Sequence, residues 1–245
     1  MNILLEICAF SLDAAINAAK SGADRIELCC GASEGGTTPN FALIKKVCEL
    51  VSIPVFPIIR PRGGDFLYNE DEFEMMKQDI ILCKNLGCSG VTFSILLADN
   101  RVDYEKTSKL VELAYPMETT FIRGFDITPD PFEALETIKK TGCKRILTSG
   151  QANKAIDAVA LIKQLVAKAG DDISIMPGSG IKSANIKSII SETGAKEFHA
   201  SARSIIDNKN PFIDKFGFGQ NIDCDIEEVK EMKRIMNLSS SKILK

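Results

Sequence analysis

A TIM-type (β/α)8 barrel in a single domain is predicted for this 245-residue chain, and three observations predict it. One junction recurs, in which a helical run ends in glycine, a small or polar residue or two follow, and a strand begins. Its copies are S-G-A-D-R-I-E at 21–27, L-G-C-S-G-V-T at 86–92, T-G-C-K-R-I-L at 141–147 and T-G-A-K-E-F-H at 193–199. Glycine supplies the left-handed residue that ends a helix, so each copy reads as an αβ loop. Eight β-like runs alternate with helical ones, and no shift of composition marks a linker. A doubly wound open sheet is the competing arrangement.

The chain starts with a strand at 3–8. Its first ten residues lack a basic segment and carry Glu6 in the apolar run, so they do not read as a signal peptide. A helix at 12–20 follows the cap Ser11, and the strand 25–29 comes next. That strand runs into a loop with Gly31, Gly35 and Gly36, where backbone N–H groups can approach a ligand. Helix 41–50 starts after Asn40, strand 55–59 follows, and helix 73–85 starts after Asn69 or Asp71. Strands are expected at 90–94, 119–123, 145–148, 174–176 and 197–200. Asp130 caps a helix at 131–140 with Pro131 at its first position. Ala155, Ile156, Val159, Ile162, Leu165 and Val166 recur at helical spacing over 152–169. Ser183 precedes a helix at 184–191.

Residues 1–204 thus form the barrel core, and 205–245 an irregular segment plus a closing helix of the same domain. The helix is expected at 226–236, capped by Asp225, with acidic residues first and Lys233 and Arg234 last. The irregular stretch carries Pro211, Phe212, Phe216 and Phe218, which suit a subunit interface.

Net charge −3 and a pI near 5.4 give no footprint for nucleic acid or an anionic membrane. No apolar run reaches the ~20 residues of a membrane-spanning helix. Eight cysteines are scattered without a C-x-x-C, which argues against a zinc ribbon and points to reduced thiols in a cytoplasmic protein.

Barrels place their active sites at the C-terminal strand ends. There the chain offers Glu6 and Cys8, Glu27 and Cys29, then Arg60, Arg62 and Asp65, then Arg123 and Asp126, and finally the lone histidine, His199. Glu27 and Cys29 are two residues apart and share a strand face, whereas Cys30 turns to the other. If the first two strands are parallel neighbours, Cys8 and Cys29 take corresponding positions near the mouth, an arrangement of soft ligands that suits Cu(I). M-P-G-S-G and A-S-A-R follow the last two strands, where barrels often hold phosphate. The amides of Gly178, Ser179 and Gly180, and of Ser201 and Ala202, are candidates, the second group opening a short helix. Arg60, Arg62 and Arg123 read as anion clamps, or as a structural charge network with the carboxylates. Glu27, Asp126 and His199 are candidate acid–base groups.

As a set, R-I-E-L-C with S-E-G-G-T-T-P, then I-R-P-R-G-G-D-F-L-Y, R-I-L-T-S-G, M-P-G-S-G-I and E-F-H-A-S-A-R, resembles the CutC family of copper homeostasis proteins over 6–203. The resemblance implies a cytoplasmic barrel that forms homodimers or higher homo-oligomers and binds Cu(I) at Cys8 and Cys29. It also implies that Glu6, Glu27, Arg60, Arg62, Arg123, Asp126, His199 and Ser201 surround the mouth. Two positions depart from the family pattern: Ile122 stands where a histidine is usual, and Ser179 where a glycine is. The alternative reading is a barrel enzyme acting on a small phosphorylated or carboxylated metabolite.

Overall fold

The structure is a computed structural model that describes residues 3–206 and 221–243. Strands β1 Leu4–Ala9, β2 Arg25–Leu28, β3 Val55–Pro57, β4 Gly90–Phe93, β5 Glu118–Phe121, β6 Arg145–Thr148, β7 Ser174–Pro177 and β8 Glu197–Ala200 run parallel. Two four-stranded sheets, β3-β2-β1-β8 and β4-β5-β6-β7, make up the wall. They meet where Ile59 donates to the Thr92 carbonyl at 2.7 Å and where β7 lies beside β8. The result is the closed (β/α)8 barrel.

The helices α1 Leu12–Lys20, α2 Phe41–Leu50, α3 Glu70–Asn85, α4 Tyr104–Ala114, α5 Pro131–Thr141, α6 Val159–Ala169, α7 Ser183–Thr193 and α8 Ile226–Ile243 surround the strands. Their starts follow local chemistry: Ser11, Asn40 and Asp130 each accept from backbone N–H groups of the first turn, and Asn69 forms a capping box with Glu72. The four junction glycines, Gly22, Gly87, Gly142 and Gly194, all adopt positive φ. Ile26, Leu28, Phe93, Ile146 and Phe198 on the strands meet Ile44, Ile80, Leu135 and Ile162 on the helices in one continuous core. Val229 and Met232 of α8 belong to it, so this helix fills the gap between α7 and α1.

Several elements differ from the sequence expectation. Helix α4 had no assignment, because among its buried positions Thr107, Leu110 and Ala114 only leucine is strongly apolar. Residues 155–158 form a 3-10 turn before α6. Ser183 is the first residue of α7 and not its cap; its N–H and hydroxyl both donate to Glu228, at 2.7 and 2.8 Å. Beyond β8 the chain forms a strand, β9 Arg203–Ile206, paired antiparallel with β10 Asn221–Cys224. No helix therefore opens at Ser201–Arg203, because the backbone there is committed to the β9–β10 ladder. Pro211, Phe212, Phe216 and Phe218 lie outside the described residues.

Candidate functional site

The four αβ junctions do more than end helices. The third residue after each junction glycine opens a strand, and it is Arg25, Gly90, Arg145 or Glu197. Three of these charges lie inside the barrel at its N-terminal end. Arg25 and Arg145 donate to Glu197 Oε2 at 2.7 and 3.1 Å, and both guanidiniums lie over the Phe56 ring, 5.1 and 5.2 Å from its centroid. Gly90 makes room for that ring, since a Cβ there would collide with Phe56. A buried cation needs a partner, and this layer supplies carboxylates and an aromatic face together.

One layer up, Arg25 Nε donates to Glu6 Oε2 at 2.5 Å, and Glu6 Oε1 is 2.7 Å from His199 Nδ1. Glu6 faces His199 across the β1–β8 ladder. Burial works against the Glu6 charge, yet Arg25 and His199 hold its pKa down to about 2. Burial likewise opposes the His199 charge, and the neighbouring Cys8, Glu6 and Glu27 outweigh it, raising the imidazole well above its usual value. His199 is accordingly a cation whose Nδ1–H donates to Glu6.

The third layer holds the thiols. The Sγ atoms of Cys8 and Cys29 are 3.6 Å apart, Cys29 Sγ is 3.6 Å from Glu27 Oε2, and Thr92 donates to Glu27 Oε1 at 2.8 Å. The register differs from the sequence expectation. Cys8 pairs with Glu27, and Cys29 stands two residues further on, just past the end of β2, because closing a barrel staggers neighbouring strands. The sulfurs still meet because both side chains point inward. Cys29 donating to Cys8 lowers the Cys8 thiol to about 5 against the effect of burial, with His199 adding to it. Burial and the Cys8 charge push Cys29 the other way, so the pair gives up one proton readily and holds the second. Burial, and then the same charge, raises Glu27 to about 8. At neutral pH the cluster therefore contains a Cys8 thiolate, a His199 imidazolium 3.9 Å from Glu27, and a neutral Glu27 carboxyl.

Above these groups opens a pocket of about 350 Å³, walled by Ile58, Phe66, Ile122 and Leu147 and rimmed by Arg60, Arg123 and Arg203. Ile122 is buried in the same apolar cluster as both thiols, so the position where the resemblance implied a histidine carries a hydrocarbon wall here. Ser179, Gly180 and Ser201 also line the pocket.

Other expected site residues are placed differently. Arg62 lies outside the pocket lining; its guanidinium is held by Glu72 at 2.5 Å and Asp65 at 2.9 Å. Asp126 accepts from Arg123, Thr148, Ser149 and Gln151, which ties two loops together and leaves its oxygens no lone pair for proton transfer. The Gly178 amide is spent on the Thr148 carbonyl at 2.8 Å. Ala202 gives its carbonyl to the Asp225 amide. Cys30 bridges to Thr37 and takes no part in the thiol cluster. Sequence reasoning passed over Phe10, whose ring lies under Arg203 at 4.5 Å, and the interior trio Arg25, Arg145 and Glu197. The signal for that trio was its shared place in the repeated junction.

The fold and site define a (β/α)8 barrel with a buried thiol–carboxylate–imidazole cluster beneath an arginine-rimmed pocket. Residues 3–204 match the CutC family, and the chain belongs to it. It is 44% identical over 93% of its length to the copper homeostasis protein cutC homolog of Homo sapiens, covering 84% of that protein. It is 49% identical over 85% of its length to a CutC family protein of Parabacteroides distasonis, covering 86% of it. The CutC crystal structure from Streptococcus agalactiae superposes with a TM-score of 0.77 at 33% identity, over 81% of this chain and 98% of that one. The phosphoribosylanthranilate isomerase of Pyrococcus furiosus shares the fold alone, at TM-score 0.58 and 12% identity over 97% of this chain and 100% of that one. Among the described residues no helix is long and apolar enough to cross a membrane.

Proposed function

We propose that this chain binds Cu(I) between Cys8 and Cys29 as a cytoplasmic copper homeostasis protein. The observation that carries the proposal is the pair of sulfurs 3.6 Å apart, with a Glu27 carboxylate oxygen within 4.8 Å of both. Cu(I) is soft and takes thiolates in low coordination. Cys8 is already ionised, so loading the pair displaces a single proton, from Cys29. A neutral Glu27 and a protonated His199 are poor ligands for hard divalent ions, which leaves the two sulfurs as the donor set. The imidazolium then balances the negative charge of a dithiolate–Cu(I) unit. With a thiolate–metal bond of about 2.3 Å as a guide, a linear unit needs its sulfurs about 4.6 Å apart. The pair must therefore open by about 1 Å.

Anaerobic Cu(I) titration against a competing chelator tests this. Cys8→Ser and Cys29→Ser are expected to lose at least ~100-fold in affinity, about 2.7 kcal/mol, while Cys30→Ser binds as wild type. Equal binding by all four proteins would reject the site. A homodimer or higher homo-oligomer belongs to the same proposal and is read by light scattering.

The neutral Glu27 beside a thiolate supports a second reading, in which the pocket performs acid–base chemistry on a small anionic metabolite. Glu27→Gln removes the proton carrier and preserves the pocket's shape. Native mass spectrometry of this variant from its own host is expected to show an organic molecule retained by the protein. A spectrum showing the bare chain or the metal alone counts against the enzyme.

A further inference from the structure

The geometry points to a phosphate monoester as the ligand of the pocket's outer half, held by Arg60, Arg203 and the loops after β7 and β8. This rests on the second reading above and names its substrate class.

Arg60 is 5% exposed, and among the described residues no carboxylate lies within ion-pair distance of it. Its Nη1 donates to the carbonyls of Glu34 and Gly36 and its Nη2 to that of Gly64, each at 2.7 Å, while Nε is buried without a partner. Carbonyl dipoles orient this guanidinium without cancelling its charge, and a buried, uncancelled charge is costly. Arg203 stands at the rim over the Phe10 ring, 4.5 Å from its centroid, again without an ion pair among the described residues. Arg123, the third cation of the rim, is already paired with Asp126 at 2.8 Å. Of the two carboxylates lining the pocket, Glu27 lies beside the thiols and accepts from Thr92, and Glu34 is turned against the backbone of Gly63.

The backbone of the same wall is also unspent. Ser179 and Gly180 both have positive φ, and the N–H groups of Ser179, Gly180 and Ser201 have no acceptor among the described residues. Two guanidiniums without counter-ions among the described residues match a dianion better than a monoanion, and a phosphate monoester carries a charge of about −1.5 to −2 at pH 7. Its oxygens can use both arginine and amide donors, whereas a carboxylate offers two oxygens to more donors than it can satisfy. Barrels commonly bind phosphate at the loops after strands seven and eight, which is where these amides lie. With the phosphate there, the hydrocarbon walls Ile58, Ile122 and Leu147 leave room for a short organic body reaching towards Glu27.

The test is titration of the isotope-labelled full chain with inorganic phosphate and, separately, acetate, followed by backbone NMR. Phosphate is expected to shift the amides of Ser179, Gly180 and Ser201, with acetate at least ~10-fold weaker. Arg203→Glu, a change at an exposed side chain, is expected to weaken phosphate by ~10-fold or more while the circular dichroism spectrum of the chain is unchanged. Acetate binding as tightly as phosphate would overturn the dianion assignment. Phosphate shifts confined to other residues, or undiminished in Arg203→Glu, would overturn the site. Such a failure alongside an organic molecule retained by Glu27→Gln would leave the enzyme reading standing and remove only the phosphate.

Discussion

At Glu27, burial and a neighbouring thiolate act in the same direction, and the carboxyl rises from 4.5 to about 8. Between those values the folded chain holds more protons than the unfolded one, so this group's contribution to stability falls as pH rises through the window. Glutamine keeps the shape and the hydrogen bond from Thr92 without titrating. Urea unfolding at a series of pH values is expected to show wild type losing stability against Glu27→Gln, with a slope approaching ~1.4 kcal/mol per pH unit. A flat difference would mean that Glu27 ionises as an ordinary surface carboxyl. The thiols, Glu27 and His199 were all legible as inward-facing residues at strand ends, because alternation along a strand fixes the face. Their protonation states were not, since these depend on which neighbours the barrel's stagger brings to the same height. Asp126 and Arg62 show the limit from the other side: both sit at the right strand ends, but loop contacts invisible in the sequence satisfy them.

At the scale of the element, the repeated αβ junction is the main device. Its glycine sets the left-handed helix end, and the residue opening the strand sets the floor of the barrel interior. The helix-ending half was legible, because glycine at a helix end has a local cause. The floor-setting half was not: charges at strand starts read as surface loop residues until the barrel closes around them. The helix α4 stayed hidden for a related reason, with Thr107 facing the core where a stronger apolar signal was needed. Gly90 is the junction's exception, and it admits the Phe56 ring between the two arginines. Gly90→Ala is expected to cost ~1–3 kcal/mol or more through overpacking. Phe56→Leu in the same chain relieves the collision, so the double mutant should lose less stability than the sum of the two singles. Strictly additive losses in urea unfolding would show that the alanine methyl and the ring do not compete for the space.

Across the whole molecule, the interior is a column of alternating charge that runs up the barrel axis: Arg145 and Arg25 with Glu197, then Glu6, then His199, then the Cys8 thiolate. Each member stabilises the charge of the next, so the column links the barrel's floor to the chemistry at its mouth. Arg25 is the pivot, because it alone bonds both Glu197 and Glu6. Replacing it with methionine keeps much of the stem's volume and leaves two buried carboxylates short of a cation. The expected loss is ~3–5 kcal/mol, the range for breaking a buried ion pair from one side. Glu6 makes the loss depend on pH. Its folded-state pKa is depressed from 4.5 to about 2, so the stability it contributes is complete above 4.5 and disappears as pH falls through 2. Without Arg25 the Glu6 pKa rises, and the midpoint of acid unfolding should move up by ~1 pH unit or more. The effect should reach the mouth as well: without the Arg25 cation the column gains net negative charge, which disfavours a further anion at Cys8. The pH profile of thiol alkylation in Arg25→Met should therefore shift to higher pH than in wild type. An unshifted profile in a folded variant would show that the thiolate depends on its immediate neighbours alone.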